Sequence, residues 1–232
     1  MNKSTIDKYG ILIPSFNCTK VHNNCKYNQH VKLYWDYGQF HLTVTSKLLP
    51  KFNTLNSITI EDVKKHSEVI ADITGYYIPF EVLMSSPLYW LDMKTDVQNT
   101  TGYSNDKIYS VLREKCYKNT TRHEIVTFAK KLGFEHSILI TSSSKSVNDS
   151  FTIYNKIDEI KTTRYFNQDY YNNFTEAFYE QNANLFRFER RIQKNRNIKK
   201  AFHLEELMHI TLSDVYNSNV DVVAEKVQKL FM

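Results

Sequence analysis

Residues 151–160, Phe-Thr-Ile-Tyr-Asn-Lys-Ile-Asp-Glu-Ile, constrain the fold more than any other stretch of the chain. In an extended backbone successive side chains point to opposite faces. Phe151, Ile153 and Ile157 then fall on one side, with Thr152, Tyr154, Lys156 and Asp158 on the other. A strand of this kind needs an apolar layer behind it and presents a chemical face in front. Three further segments repeat the design. In 40–45, Phe40, Leu42 and Val44 oppose His41, Thr43 and Thr45. In 88–97, Tyr89, Leu91, Met93 and Val97 oppose Asp92, Lys94 and Asp96. In 185–192, Phe186, Phe188 and Ile192 oppose Arg187, Glu189 and Arg191. If these strands share one sheet, their fronts share one surface.

The intervening sequence supplies the covering layer. A helical pattern is expected over 57–73, where Thr59 can cap and Glu61 and Asp62 sit in the first turn, favoured by the helix dipole. Further helices are expected over 105–117, over 122–132 with Gly133 closing it, and over 170–182. The segment from about 203 reads as two helices, 204–210 and 214–231, with Ser213 as the cap. Residues 31–45 read as a hairpin turning at Asp36-Tyr37-Gly38, residues 137–143 and 151–157 as two joined strands, and residues 10–13 as a short strand. Strands alternating with helices, with hairpins mixed in, predict an α+β fold. Its sheet is mainly antiparallel, with helices packed on one face and the site on the open face. The 232 residues suffice for one domain spanning 1–232.

Composition narrows the function classes. With 41% hydrophobic and 24% charged residues the chain is globular, and no apolar run approaches the roughly 20 residues of a membrane span. The polar N-terminus has no leader-like apolar stretch, so a cytoplasmic protein is expected. Three cysteines are too few and too scattered for a disulfide framework. Cys18, His22, Cys25 and His30 have soft-ligand chemistry, but their spacing matches no usual structural zinc pattern. The net charge of +5 permits a polyanionic partner. Arg187, Arg190, Arg191, Lys194, Arg196, Lys199 and Lys200 crowd into a short strip of the sort that meets phosphates, or forms a solvated charged surface.

The residues on the shared front suit attack on a phosphodiester. Tyr154 is a candidate nucleophile, and Lys156, two residues on, a cation to hold its phenolate; the plain alternative is one of sixteen tyrosines beside a solvated lysine. Asp92 and Glu189 are candidate metal ligands with His41, and Arg187 and Arg191 can offset phosphate charge or pair with the acids instead. Oxygen ligands with at most one imidazole point to Mg²⁺ or Mn²⁺ over zinc. Lys194, Arg196, Lys199 and Lys200 are expected on backbone phosphates.

Three landmarks in order carry a resemblance: Leu-Tyr-Trp-Leu-Asp-Met-Lys-Thr-Asp-Val (88–97), Ile-Leu-Ile-Thr-Ser-Ser-Ser-Lys-Ser (138–146) leading into 151–160, and Leu-Phe-Arg-Phe-Glu-Arg-Arg-Ile (185–192). Together they resemble the rolling-circle replication initiators of phages and plasmids, in particular the gene II/X family of filamentous phages. The resemblance implies that Tyr154 cleaves one DNA strand at an origin, stays joined to its 5′ phosphate and later rejoins it, with Asp92 and Glu189 as the acidic residues. It implies single-stranded or supercoiled origin DNA as substrate, a host helicase and polymerase as partners, and no membrane. Thr43 stands where related endonucleases carry a second histidine beside His41. A non-catalytic DNA-binding regulator related to such initiators, and an unrelated domain whose tyrosines only stack bases, are the competing readings.

Overall fold

The structure, a computed structural model, describes residues 4–6, 12–14, 31–36, 39–44, 58–74, 76–128, 137–142, 149–164 and 174–232. Cys18, His22, Cys25 and His30 lie outside them. The chain divides into two compact units, 1–86 and 87–232, where the length alone suggests one domain.

The first unit holds two antiparallel strand pairs. β1 (Ser4–Ile6) pairs with β2 (Leu12–Pro14), and β3 (Val31–Asp36) with β4 (Gln39–Val44). Helix α1 (Ile60–Thr74) begins as expected at Thr59. The Thr59 hydroxyl accepts from the Asp62 N–H at 3.3 Å while the Asp62 carboxylate accepts from the Thr59 N–H at 3.0 Å, a reciprocal cap. Leu42 and Val44 pack on Ile70 of α1, together with Leu83 of α2 (Phe80–Ser85).

The second unit is an α+β sandwich of one five-stranded antiparallel sheet and a helical layer. The sheet contains β5 (Trp90–Gln98), β6 (Glu124–Phe128), β7 (Ser137–Ser142), β8 (Asp149–Asn155) and β9 (Leu185–Gln193), in the order β5-β9-β8-β7-β6. Register fixes the two faces. Phe188 lies opposite Thr95 and Ile153, and Ile153 opposite Ile138. These apolar side chains pack under α3 (Asn105–Asn119), α6 (Asn195–Ala201) and α8 (Val222–Phe231). Ile138, Ile140, Ile153 and Ile192 are completely enclosed, each contributing about 2 kcal/mol through burial. Tyr109 of α3 donates its hydroxyl to the Ile153 carbonyl at 2.7 Å, tying the helical layer to the central strand.

The structure corrects four expected elements. The strand through 157 stops at Asn155, because the Asn155 side chain accepts from the N–H groups of Ile157 and Asp158 at 2.9 and 3.2 Å and caps α4 (Lys156–Arg164). Lys156 is thus a helix residue. The helix expected over 122–132 is in its described part the edge strand β6, whose Glu-Ile-Val-Thr-Phe is rich in β-branched and aromatic residues. The basic strip contains α6, a helix that its residue pattern does not announce. In the tail, 204–210 is not helical, and α7 (Leu212–Asn217) and α8 are separate helices, capped by Thr211 and Asp221. Of the helix expected over 170–182 the structure describes α5 (Glu176–Gln181). Residues of α4 and α5 form a second apolar cluster of Ile157, Ile160, Tyr179 and Phe178 with Phe174.

Candidate functional site

The polar face of the second unit's sheet is organised in rungs. Asp92 lies opposite Arg191, and Arg191 opposite Ser150; Lys94 opposite Glu189, and Glu189 opposite Thr152; Asp96 opposite Arg187, and Arg187 opposite Tyr154. Three adjacent strands therefore bring Asp92, Lys94, Asp96, Glu189, Arg187, Arg191 and Tyr154 onto one surface, as the alternation predicts.

Each aspartate is matched to an arginine. Arg187 donates Nε and Nη2 to the two carboxylate oxygens of Asp96, both at 2.6 Å. Arg191 donates to Asp92 at 2.9 and 3.0 Å through the same pair of nitrogens. Lys94 Nζ stands 3.6 Å from Asp96. Burial and the Arg187 guanidinium push the Lys94 ammonium down to about 8 against the pull of Asp96. The face is graded in depth: the Arg187 side chain is 5% exposed and that of Arg191 44%.

Tyr154 sits at the deep end, 8% exposed. Its hydroxyl reaches diagonally to Glu189 and donates to Oε2 at 3.0 Å. Burial first, and the Glu189 charge second, push the phenol above its ordinary range, with Arg187 opposing. A free phenolate is disfavoured here, but a carboxylate is in place to take the proton. Glu189 Oε1 faces Arg191 Nη2 at 3.7 Å.

Lys156 is the first residue of α4 and not part of a continued strand. It is buried, pairs with Glu159 one helical turn on, and lies 5.7 Å from the centre of the Tyr154 ring. It braces the ring of the tyrosine. The sequence carries the signal for this: Asn155 followed by Asp158 and Glu159 is a capped helix start with an acidic first turn. Two residues join the site beyond those expected, one from α4 and one in phase with Asp92 at the start of β5. One is Glu159, and the other is Trp90, whose Nε1 donates to Asp92 at 2.7 Å.

Beyond Arg187 and Arg191, the basic strip does not extend this face. Ile198 and Ala201 place α6 in the core on the helical side of the sheet. Lys194 and Arg196 are exposed. Lys199 is turned inward and donates to the Leu207 carbonyl at 2.5 Å. Lys200 lines a cleft of about 420 Å³ with Lys226, Lys229 and His123.

Asp92 and Glu189, the expected ligands of Mg²⁺ or Mn²⁺, stand one rung apart with hard oxygen donors, and Arg191 is their present counter-charge. Mg²⁺ is commonly held by one or two carboxylates with substrate phosphates and water completing the shell, so this pair fits a cation that arrives with a phosphate. Among the described residues no group of three or more His, Cys, Asp and Glu side chains is placed to hold a metal. His41 lies on β4 of the first unit, opposite Tyr34, and the site above is built from second-unit residues alone. No family model, curated protein or solved structure matches the chain.

Proposed function

We propose that this chain nicks and rejoins one strand of DNA at a replication origin by transesterification, with Tyr154 as the nucleophile. The observation that carries the reading is the 3.0 Å hydrogen bond from the Tyr154 hydroxyl to Glu189, on a face edged by Arg187, Arg191 and Lys94. A buried neutral phenol attacks slowly unless its proton has somewhere to go, and Glu189 accepts it as the oxygen meets phosphorus. The phosphorus–O3′ bond breaks, leaving a 5′-phosphotyrosine and a 3′ oxygen. Lys94, with its lowered proton affinity, gives that oxygen its proton. The step exchanges one phosphodiester for another, so attack by the 3′ hydroxyl reverses it and rejoins the strand.

Arg187 and Arg191 already present their forks to carboxylates, and a phosphate's oxygens match the same fork. An incoming phosphodiester takes the more exposed Arg191 from Asp92. Asp92 and Glu189 would then hold Mg²⁺ or Mn²⁺, which supplies further positive charge to the non-bridging oxygens when bound. Lys156 fixes the ring, so the hydroxyl keeps its line to Glu189. Lys200, with the exposed Lys194 and Arg196, adds backbone contacts away from the reacting phosphate. The substrate is single-stranded or supercoiled origin DNA, and the released 3′ end is a primer for a host polymerase working with a helicase.

The burial of Tyr154 favours a second reading, a non-catalytic regulator that binds DNA through its basic groups. A suicide oligonucleotide separates the two. The wild-type chain traps a covalent protein–DNA adduct, and Tyr154→Phe binds the same DNA without trapping it. A wild type that binds and never traps is the regulator.

A further inference from the structure

The open end of the polar face is occupied by Trp90. The residue is 50% exposed, on a surface otherwise made of polar and charged groups. The Nε1–Asp92 hydrogen bond at 2.7 Å satisfies the indole's only donor and sets the ring's direction. What remains for a ligand is the part of its π surface that Arg191 does not cover. The Arg191 guanidinium lies 5.2 Å from the ring centre. An unbroken line of contacts therefore runs along the face: Trp90 to Arg191, Arg191 to Glu189 at 3.7 Å, and Glu189 to the Tyr154 hydroxyl at 3.0 Å.

We infer that Trp90 and Arg191 form a nucleobase subsite for single-stranded DNA, stacking the base next to the phosphate that Tyr154 attacks. The inference takes its substrate from the nicking reading. A phosphate held by Arg191 carries its base one sugar away, which is the distance scale separating Arg191 from the indole. Paired bases within a duplex have both faces covered by neighbours, so only an unpaired base can lie on the ring. Aromatic side chains beside cations are how single strands are gripped without reading their sequence, since every base has a π face. The gradient of exposure agrees with this direction of approach: the strand lies across the open Trp90 end and its phosphate reaches inward towards Tyr154. Trp90 is a positioning residue. It adds affinity and fixes the register of the scissile phosphate, and it takes no part in bond making.

The test compares the full chain's affinity for a dT 12-mer with that for an abasic 12-mer carrying the same number of phosphates. Wild type binds the dT strand about tenfold more tightly, the contribution of one stacked base. Trp90→Ala brings the dT and abasic affinities together, so that the ratio between them falls to about one. Trp90→Phe keeps part of the preference, whereas Trp90→Leu, with apolar bulk and no π face, loses it. The subsite is overturned if wild type binds both strands equally, if Trp90→Ala keeps the preference, or if Trp90→Leu matches Trp90→Phe. Parallel loss of both affinities in Trp90→Leu also overturns it, since the ring then serves only to place Arg191. Failure of the nicking reading looks different: the base preference persists and depends on Trp90, yet no covalent adduct forms.

Discussion

Lys94 is partly buried on a strand whose neighbours include Arg187, and its ammonium is pushed down to about 8. Between pH 8 and its unfolded value near 10.5 the unfolded chain keeps a proton that the folded chain has released, so this residue's contribution to stability rises with pH. Above about pH 9 Cys116 works the other way, because burial pushes its thiol up to about 11. The useful window is therefore about pH 8 to 9. There the stability of wild type, measured by urea unfolding, rises relative to Lys94→Met. Nicking has the opposite slope if Lys94 protonates the leaving oxygen: single-turnover rates fall as pH passes about 8, and Lys94→Met removes that limb along with most of the rate. Asp96 makes a different kind of contribution. It is the bidentate partner of Arg187, which is almost fully enclosed. Asp96→Asn leaves that guanidinium buried without its counter-charge and lowers stability by about 3 kcal/mol, read as a shifted denaturation midpoint.

Among the elements, β9 is the most legible in the sequence. Leu185–Gln193 alternates so strongly that the residue pattern alone sends Phe186, Phe188 and Ile192 to the core and Arg187, Glu189 and Arg191 to the front. The same alternation places Asp92 and Tyr154 beside them. Short helices escape it. α6 has seven residues, Asn195–Ala201, too few for a 3.6-residue period to show, and five of the seven are polar or charged. Lys194, which precedes it with φ 72°, turns the chain out of β9 in a conformation that side chains rarely adopt. Nothing in the residue type announces that turn. β6 reads as a helix because an amphipathic helix and an edge strand look alike over a few residues, and only pairing with β7 decides. The basic strip is misplaced for the same reason: its charge is visible in the sequence, but not which side of the sheet α6 takes it to. The lysines of α6 therefore have separable roles. Lys200→Gln lowers the slope of log affinity for DNA against log salt by about one unit. Lys199→Gln leaves that slope in place and destabilises the fold, because Lys199 holds the Leu207 carbonyl.

At the scale of the molecule, the proposed chemistry rests on the second unit, 87–232, and within it on one face of one sheet. No helix among the described residues is long and apolar enough to cross a membrane. The counter-charges on that face are arginines, and the divalent cation proposed to join them with substrate gives a condition that can be set from outside the protein. Chelating Mg²⁺ and Mn²⁺ abolishes nicking and leaves DNA binding nearly intact, and Glu189→Gln stays inactive at any metal concentration. Full nicking in excess chelator would leave the arginines as the phosphate's only partners. The central claim, that Tyr154 is the group that becomes joined to DNA, is tested most directly by mass spectrometry of the trapped adduct after proteolysis. The expected result is a nucleotide attached through a 5′ phosphate to the peptide containing Tyr154, absent from Tyr154→Phe. A nucleotide on Tyr165, Tyr170 or Tyr171, or an adduct that survives in Tyr154→Phe, would contradict it.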